Sequence, residues 1–302
     1  MQTSVSNQTR PLIFGEVLFD EFPDGSRVLG GAPFNVAWHL QAFGLQPLFI
    51  SALGEDEAGQ QIVAAMRAWG MDLSGVQQVV NYPTGIVEVG FEHGEPHYNI
   101  VPDSAWDFIR PTDLPPHLPP ISVFYHGSLA LRQVVSHTTW QWLRQQTEAP
   151  RFMDINLRSP WWNAEGIPHM LEGIRWLKLN EHELQEIVPE HNTTTSRLPF
   201  LFQQQPLEWV IVTQGQTGAI AVSRDQEVLQ VKPQTQTSAL VDTVGAGDAF
   251  SSVVVLGLSH GWPMQQILER AQAFASTIIG IRGATSYERS FYQPFLQDWQ
   301  LT

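Results

Sequence analysis

A chain of 302 residues with 43% hydrophobic side chains can bury a large core, and suits one sizeable α/β domain or two small ones. Thirty acidic against 16 basic side chains leave a net charge of −14, which disfavours nucleic acid as a partner and requires any phosphate site to be local, built from amides, a few cations and a metal. Cysteine is absent, which excludes disulfides, thiolate metal centres and a cysteine nucleophile; Val253 to Leu258 is too short an apolar run to span a membrane, and the polar stretch Met1 to Arg10 lacks a secretory core, so a cytoplasmic protein is expected.

In chain order, Pro11 to Phe19 is apolar and β-prone and reads as a first strand. After Gly30-Gly31, the stretch Phe34 to Gly44 reads as a helix with Val36, Leu40 and Phe43 on one face. Pro47 to Ser51 returns to strand, and Glu57 to Trp69 is a second helix with Gly70 as its stop. Thr84 to Phe91 and His97 to Val101 flank His93-Gly94-Glu95-Pro96 and read as an inserted hairpin, which with Phe14 to Val28 forms a candidate lid. Strands follow at Ile121 to His126, Arg151 to Asn156, Arg175 to Leu179 and Glu208 to Thr213, then a hairpin across Gly218 to Val231. Val134 to Gln146 is helical, and two helices close the chain near Ala246 to His260 and Met264 to Ile279. Such alternation predicts a mostly parallel sheet covered by helices on both faces.

The most informative segment is Val241-Asp242-Thr243-Val244-Gly245-Ala246-Gly247-Asp248-Ala249-Phe250. Two glycines permit a tight turn into a helix, whose first amides lack intrahelical acceptors and form an anion site. A carboxylate beside that site, Asp248, suits the removal of a proton from a hydroxyl attacking a phosphate. Two blander readings compete. Asp248 could cap the helix and the glycines merely turn the chain. Gly245-x-Gly247 also fits half of a dinucleotide fingerprint with Glu269 as its acid, although Phe250 holds the third glycine position. No Walker A loop and no G-x-S-x-G is present.

The segment Asp242 to Phe250 resembles the C-terminal signature of the ribokinase-like (PfkB) carbohydrate kinases. The resemblance covers nearly the whole chain. Gly15-Glu16-Val17-Leu18-Phe19-Asp20 is similar to the family's first strand, and Gly30-Gly31-Ala32-Pro33-Phe34-Asn35 to its glycine-pair signature. Leu53-Gly54-Glu55-Asp56-Glu57-Ala58-Gly59 matches a stretch read as structural. Asp154-Ile155-Asn156-Leu157-Arg158 resembles the D-x-N-x-R element of the fructokinase-like branch, Asn180 to Glu183 the N-x-x-E motif, and Thr213 to Ala219 the nucleotide-binding T-x-G-x-x-G-A.

The resemblance implies a doubly wound, mostly parallel α/β fold in one domain, residues 1–302, with a small β lid from segments 14–30 and 80–103. It implies Asp248 as base and Gly245, Ala246 and Gly247 as anion hole. Asp20, Gly30, Gly31 and Asn35 would meet the acceptor. Asn156, Arg158, Asn180, Thr213, Gly215 and Gly218 would meet ATP. Mg²⁺ would be held through water by Glu183, and a monovalent cation such as K⁺ near Asp242. The implied activity is ATP-dependent phosphorylation of a primary hydroxyl, with fructose the first acceptor and 2-keto-3-deoxygluconate, ribose or a nucleoside as alternatives. Trp106 and Tyr98 are candidates to stack on a base or sugar, and a non-catalytic sugar or nucleotide sensor is the alternative class. The partners implied are a small sugar and, through an exposed lid edge, a second copy of the chain; no nucleic acid or membrane is expected. Gln272 stands where the family would lead one to look for an Asn near the adenine.

Overall fold

The computed structural model describes residues 9–92, 95–233 and 241–301. The strands are β1 (Arg10–Phe14), β2 (Leu18–Glu21), β3 (Arg27–Gly30), β4 (Leu48–Gly54), β5 (Val76–Val79), β6 (Gly85–Glu92), β7 (Glu95–Ile100), β8 (Ile121–His126), β9 (Arg151–Asp154), β10 (Trp176–Asn180), β11 (Trp209–Thr213), β12 (Ala219–Ser223) and β13 (Val228–Val231). The helices are α1 (Ala32–Ala42), α2 (Glu57–Trp69), α3 (Val134–Gln146), α4 (Ile167–Leu171), α5 (Glu181–Ile187), α6 (Thr194–Gln204), α7 (Ala246–His260), α8 (Met264–Ile278) and α9 (Arg289–Asp298).

Nine strands form one sheet in the order β13-β12-β11-β10-β9-β8-β1-β4-β5, parallel from β11 to β5 and antiparallel at the β12 and β13 edge. Its central strands are apolar at consecutive positions because both faces are covered. Ile13 packs into the cluster holding α1, α7 and α8, while its neighbours Leu12 and Phe14 pack toward α3. On β10, Leu177 and Leu179 face the cluster of α4 to α6, and Trp176 faces the α7 side.

The first strand expected across Pro11 to Phe19 is two strands. Gly15, at φ 156°, begins the three-residue break that carries the chain from β1 in the main sheet to β2 in a second sheet. That sheet has the order β3-β2-β6-β7, with the β2–β6 pair parallel and the others antiparallel. Its strands fall within segments 14–30 and 80–103; His93 and Gly94, expected in the turn of the inserted hairpin, lie outside the described residues. The first helix begins at Ala32 rather than Phe34, because Pro33 is well suited to a first turn. A third closing helix, α9, follows the two expected; Pro294 inside it masks the helical pattern in the sequence.

Parallel strands all present their C-terminal ends on one side, and the loops leaving them converge there. Gly15 to Val17 leave β1, Ile155 to Arg158 leave β9, Asn180 ends β10 and Gln214 leaves β11. The chain enters α7 over the same edge.

Candidate active site

The start of α7 is where the two ends of the sequence meet. Asn35, buried on α1, donates from Nδ2 to Asp248 Oδ2 at 2.8 Å across a separation of 213 residues. Asp248 lies in the first turn of α7. Burial is the leading cause that raises its carboxyl above the ordinary aspartate range. The Asn35 bond opposes that rise, Asp154 adds to it, and Lys178 and Arg158 hold it down.

Gly245 caps α7 at φ 80°, and a Cβ there would run into Ala284. Both facts require glycine. The amide of Ala246 makes a long 3.4 Å bond to Thr243 O, and that of Ala249 closes the first helical bond to Gly245 O. The amides of Gly247 and Asp248 find no protein acceptor among the described residues. The entry turn is fastened by Asp242, whose carboxylate accepts from the Val244 amide at 3.0 Å and the Gly283 amide at 3.1 Å.

Beside this turn lies a cavity of about 460 Å³. Asn180, Thr213, Gly215 and Gly218 line it together with Ala246 and Gly247, so four of the six residues expected to meet the nucleotide share one wall with the turn. Gln272 lines it too, at the position where the sequence departs from the family. Asn156 and Arg158 do not line it. Asn156 adopts φ 43° and offers its carbonyl to Ser128 Oγ at 3.3 Å. Arg158 is exposed, and its charge lowers the carboxyl pKa values of Glu16, Asp20 and Asp248.

Glu183 is fully engaged as a helix cap. It accepts from the Leu157 amide at 2.9 Å and the Asn180 amide at 2.8 Å, while Asn180 Oδ1 accepts from the Glu183 amide at 2.8 Å. Burial, foremost, raises the Glu183 carboxyl pKa. Among the described residues no group of three or more His, Asp or Glu side chains is arranged to hold a metal by itself.

The residues expected at the acceptor lie on the small sheet and at the start of α1. Asp20 Oδ2 lies 3.1 Å from where a Cβ on Gly30 would stand. Burial, then the Asp248 charge, push the Asp20 carboxyl up to about 6. Gly31 is the N-cap of α1 at φ 106°, and a Cβ there would press on Glu16 O at 2.7 Å. Trp106 is fully buried with the Arg132 guanidinium 4.1 Å from its ring centroid, so it is not free to stack on a ligand. Tyr98 is half-exposed on β7.

Sequence reasoning left three buried groups out of the site. Glu16 has a carboxyl oxygen without a partner among the described residues, and its carboxyl is pushed up to about 7, chiefly by burial. Lys178 and Asp154 form a buried ion pair at 2.7 Å, and Ser251 Oγ donates to the same Asp154 oxygen at 2.7 Å. The signal for Lys178 was its position two residues before Asn180, which puts both on one face of β10. Asp154 stood in plain view as the first letter of D-x-N-x-R.

The family model for pfkB family carbohydrate kinases matches residues 7–289. A fructokinase of Klebsiella pneumoniae is 32% identical over 269 residues, 83% of this chain and 85% of that one. An aminoimidazole riboside kinase of Salmonella typhimurium is 25% identical over 270 residues, 84% of this chain and 83% of that one. In three dimensions the chain is similar to a fructokinase with bound ATP from Xylella fastidiosa, with a TM-score of 0.84 at 19% identity, covering 97% of this chain and 99% of that one.

Proposed function

The chain belongs to the pfkB family of carbohydrate kinases, and within that family we propose that it is a fructokinase with Asp248 as its base. The family and the fructokinase relative establish the coarser activity, ATP-dependent transfer of a phosphoryl group to a carbohydrate. The single observation that supports Asp248 as base is the 2.8 Å bond from Asn35, because it unites the glycine-pair helix with the C-terminal turn, while fructose as acceptor rests on the 32% identical fructokinase relative.

In the proposed reaction a primary hydroxyl of the sugar lies under the lid, between Asp20, Gly31 and Asn35. Asp248 takes its proton as the oxygen attacks the γ-phosphorus, and the bond from that phosphorus to the departing ADP oxygen breaks. The amides at Gly245, Ala246 and Gly247 face the charge on the transferring group. The raised Asp248 carboxyl suits a base. The nucleotide occupies the cavity along Asn180, Thr213, Gly215 and Gly218.

Magnesium, when bound, neutralises phosphate charge; with both Glu183 oxygens already accepting amides, Asn180 and Glu183 would hold it through water. Asp242 also accepts an amide on each oxygen, so a monovalent cation near it would rely on remaining lone pairs. The lid strands β3 and β7 are edges and could pair with a second copy.

The aminoimidazole riboside kinase relative favours a second reading, in which the acceptor is a nucleoside-like riboside. Coupled ADP release with fructose, ribose, 2-keto-3-deoxygluconate and aminoimidazole riboside separates the two. We expect the highest kcat/KM with fructose; preference for a riboside removes the fructokinase reading, and no ADP release with any acceptor favours a sensor. Asp248→Ala should lower kcat by about a hundred- to ten-thousand-fold while nucleotide binding persists. Near-normal turnover in that variant overturns the assignment of the base.

A further inference from the structure

The turn into α7 has a buried cation beneath it that no motif singles out. Lys178 is 5% exposed and lies on β10 two residues before Asn180, so the two side chains leave the same face of the sheet. Asn180 opens onto the nucleotide cavity. Lys178 sits one pleat deeper, and its Nζ lies 3.6 Å from the point where a Cβ on Gly247 would stand. It thus faces the open side of the glycine whose amide has no acceptor among the described residues.

The ammonium has three N–H donors. One goes to Asp154 Oδ2 at 2.7 Å, and no other hydrogen bond from Lys178 is found among the described residues. Asp154 Oδ2 is also held by Ser251 Oγ, one turn beyond Asp248 on α7. The arrangement fixes the lysine from two directions and leaves donors unspent next to the turn. The position matters in a chain of net charge −14 without a Walker lysine.

We propose that Lys178 is a phosphate-binding residue of the nucleotide site, donating to the terminal phosphoryl group that the Gly245–Gly247 turn grips. The inference rests on the reading of that turn as the anion hole. Asp154 and Ser251 act as positioning residues: they hold the ammonium below Gly247 and stop it from swinging into solvent. The pair also tunes the base, since Lys178 lowers and Asp154 raises the Asp248 pKa.

The test is calorimetric titration of the intact protein with a non-hydrolysable ATP analogue and, separately, with ADP, each with Mg²⁺. Lys178→Met should weaken the ATP analogue by about ten- to a hundredfold, the worth of a hydrogen bond to a charged group, and leave ADP affinity close to the wild type. Lys178→Arg should retain part of the difference. Because a lone buried Asp154 can unfold the protein, the double variant Lys178→Met/Asp154→Asn removes both charges and should show the same selective loss. Unchanged binding of the ATP analogue, or equal weakening of both nucleotides, overturns the role of Lys178 while leaving the kinase reading intact. A wild-type protein that binds neither nucleotide overturns the reading of the turn itself, and this inference with it.

Discussion

Asp248, Asn35 and the glycines of the C-terminal turn could be picked out in the sequence because each is constrained by a short, local pattern. Glu16 and Lys178 could not, and Asp154, although visible as the first letter of a motif, gave no sign of its partners, since what these groups do comes from burial and from neighbours far along the chain. Glu16 shows what such burial does. In the fold its carboxyl keeps its proton up to about pH 7, whereas in the unfolded chain it ionises near its ordinary value of 4.5. Between those values the unfolded state has released a proton that the folded state retains, so stability falls as pH rises from 4.5 to 7 and is level above. The shift corresponds to roughly 3 kcal/mol. Glu16→Gln should therefore lose about 3 kcal/mol less stability than the wild type between pH 4.5 and 8, measured by urea unfolding at each pH. Equal pH dependence in the two proteins rules out Glu16 as the source.

Elements were legible where periodicity was strong, as in α2, α7 and α8, and illegible where the chain changes sheets. Nothing in the run from Pro11 to Phe19 marks the break except Gly15 and Glu16, because the residues on both sides of that pair are apolar and bury against different partners. The stretch Leu53 to Gly59, read as structural, proves to fasten the lid. Asp56 caps α2 by accepting from the Gly59 amide at 2.8 Å. It also accepts from the Thr84 amide and hydroxyl, each at 2.7 Å, directly before the lid strand β6. Thr84 Oγ1 in turn accepts from the Gly54 amide at 3.0 Å, at the end of β4. Asp56→Ala should reduce stability by about 1–2 kcal/mol and raise KM for the acceptor more than KM for ATP. A stability loss with both KM values unmoved would confine Asp56 to capping. Asp56 is already held below the ordinary aspartate range by these bonds, so the interaction persists into mild acid.

For the whole molecule, the charge of −14 was readable at once, and its consequence is kinetic. Nucleotide and protein repel at long range, while a phosphate site built from the amides of one turn, as proposed, would attract only at contact. Raising ionic strength from about 0.01 to 0.1 M shortens the screening length from about 30 to about 10 Å, so the association rate of ATP should increase, as stopped-flow binding would detect. A rate that falls with salt would mean that a basic funnel dominates. The arrangement of the two sheets was less legible, because it depends on one short segment. Strand β3 of the small sheet ends at Gly30, Gly31 caps α1, and Asn35 on that helix donates to the carboxylate of Asp248. The small sheet and the proposed base are thus joined by a covalent run of a few residues and one hydrogen bond. An enzyme wired in this way would aim its base when a sugar draws the cover down, and would squander little ATP on water while the seat beneath is empty.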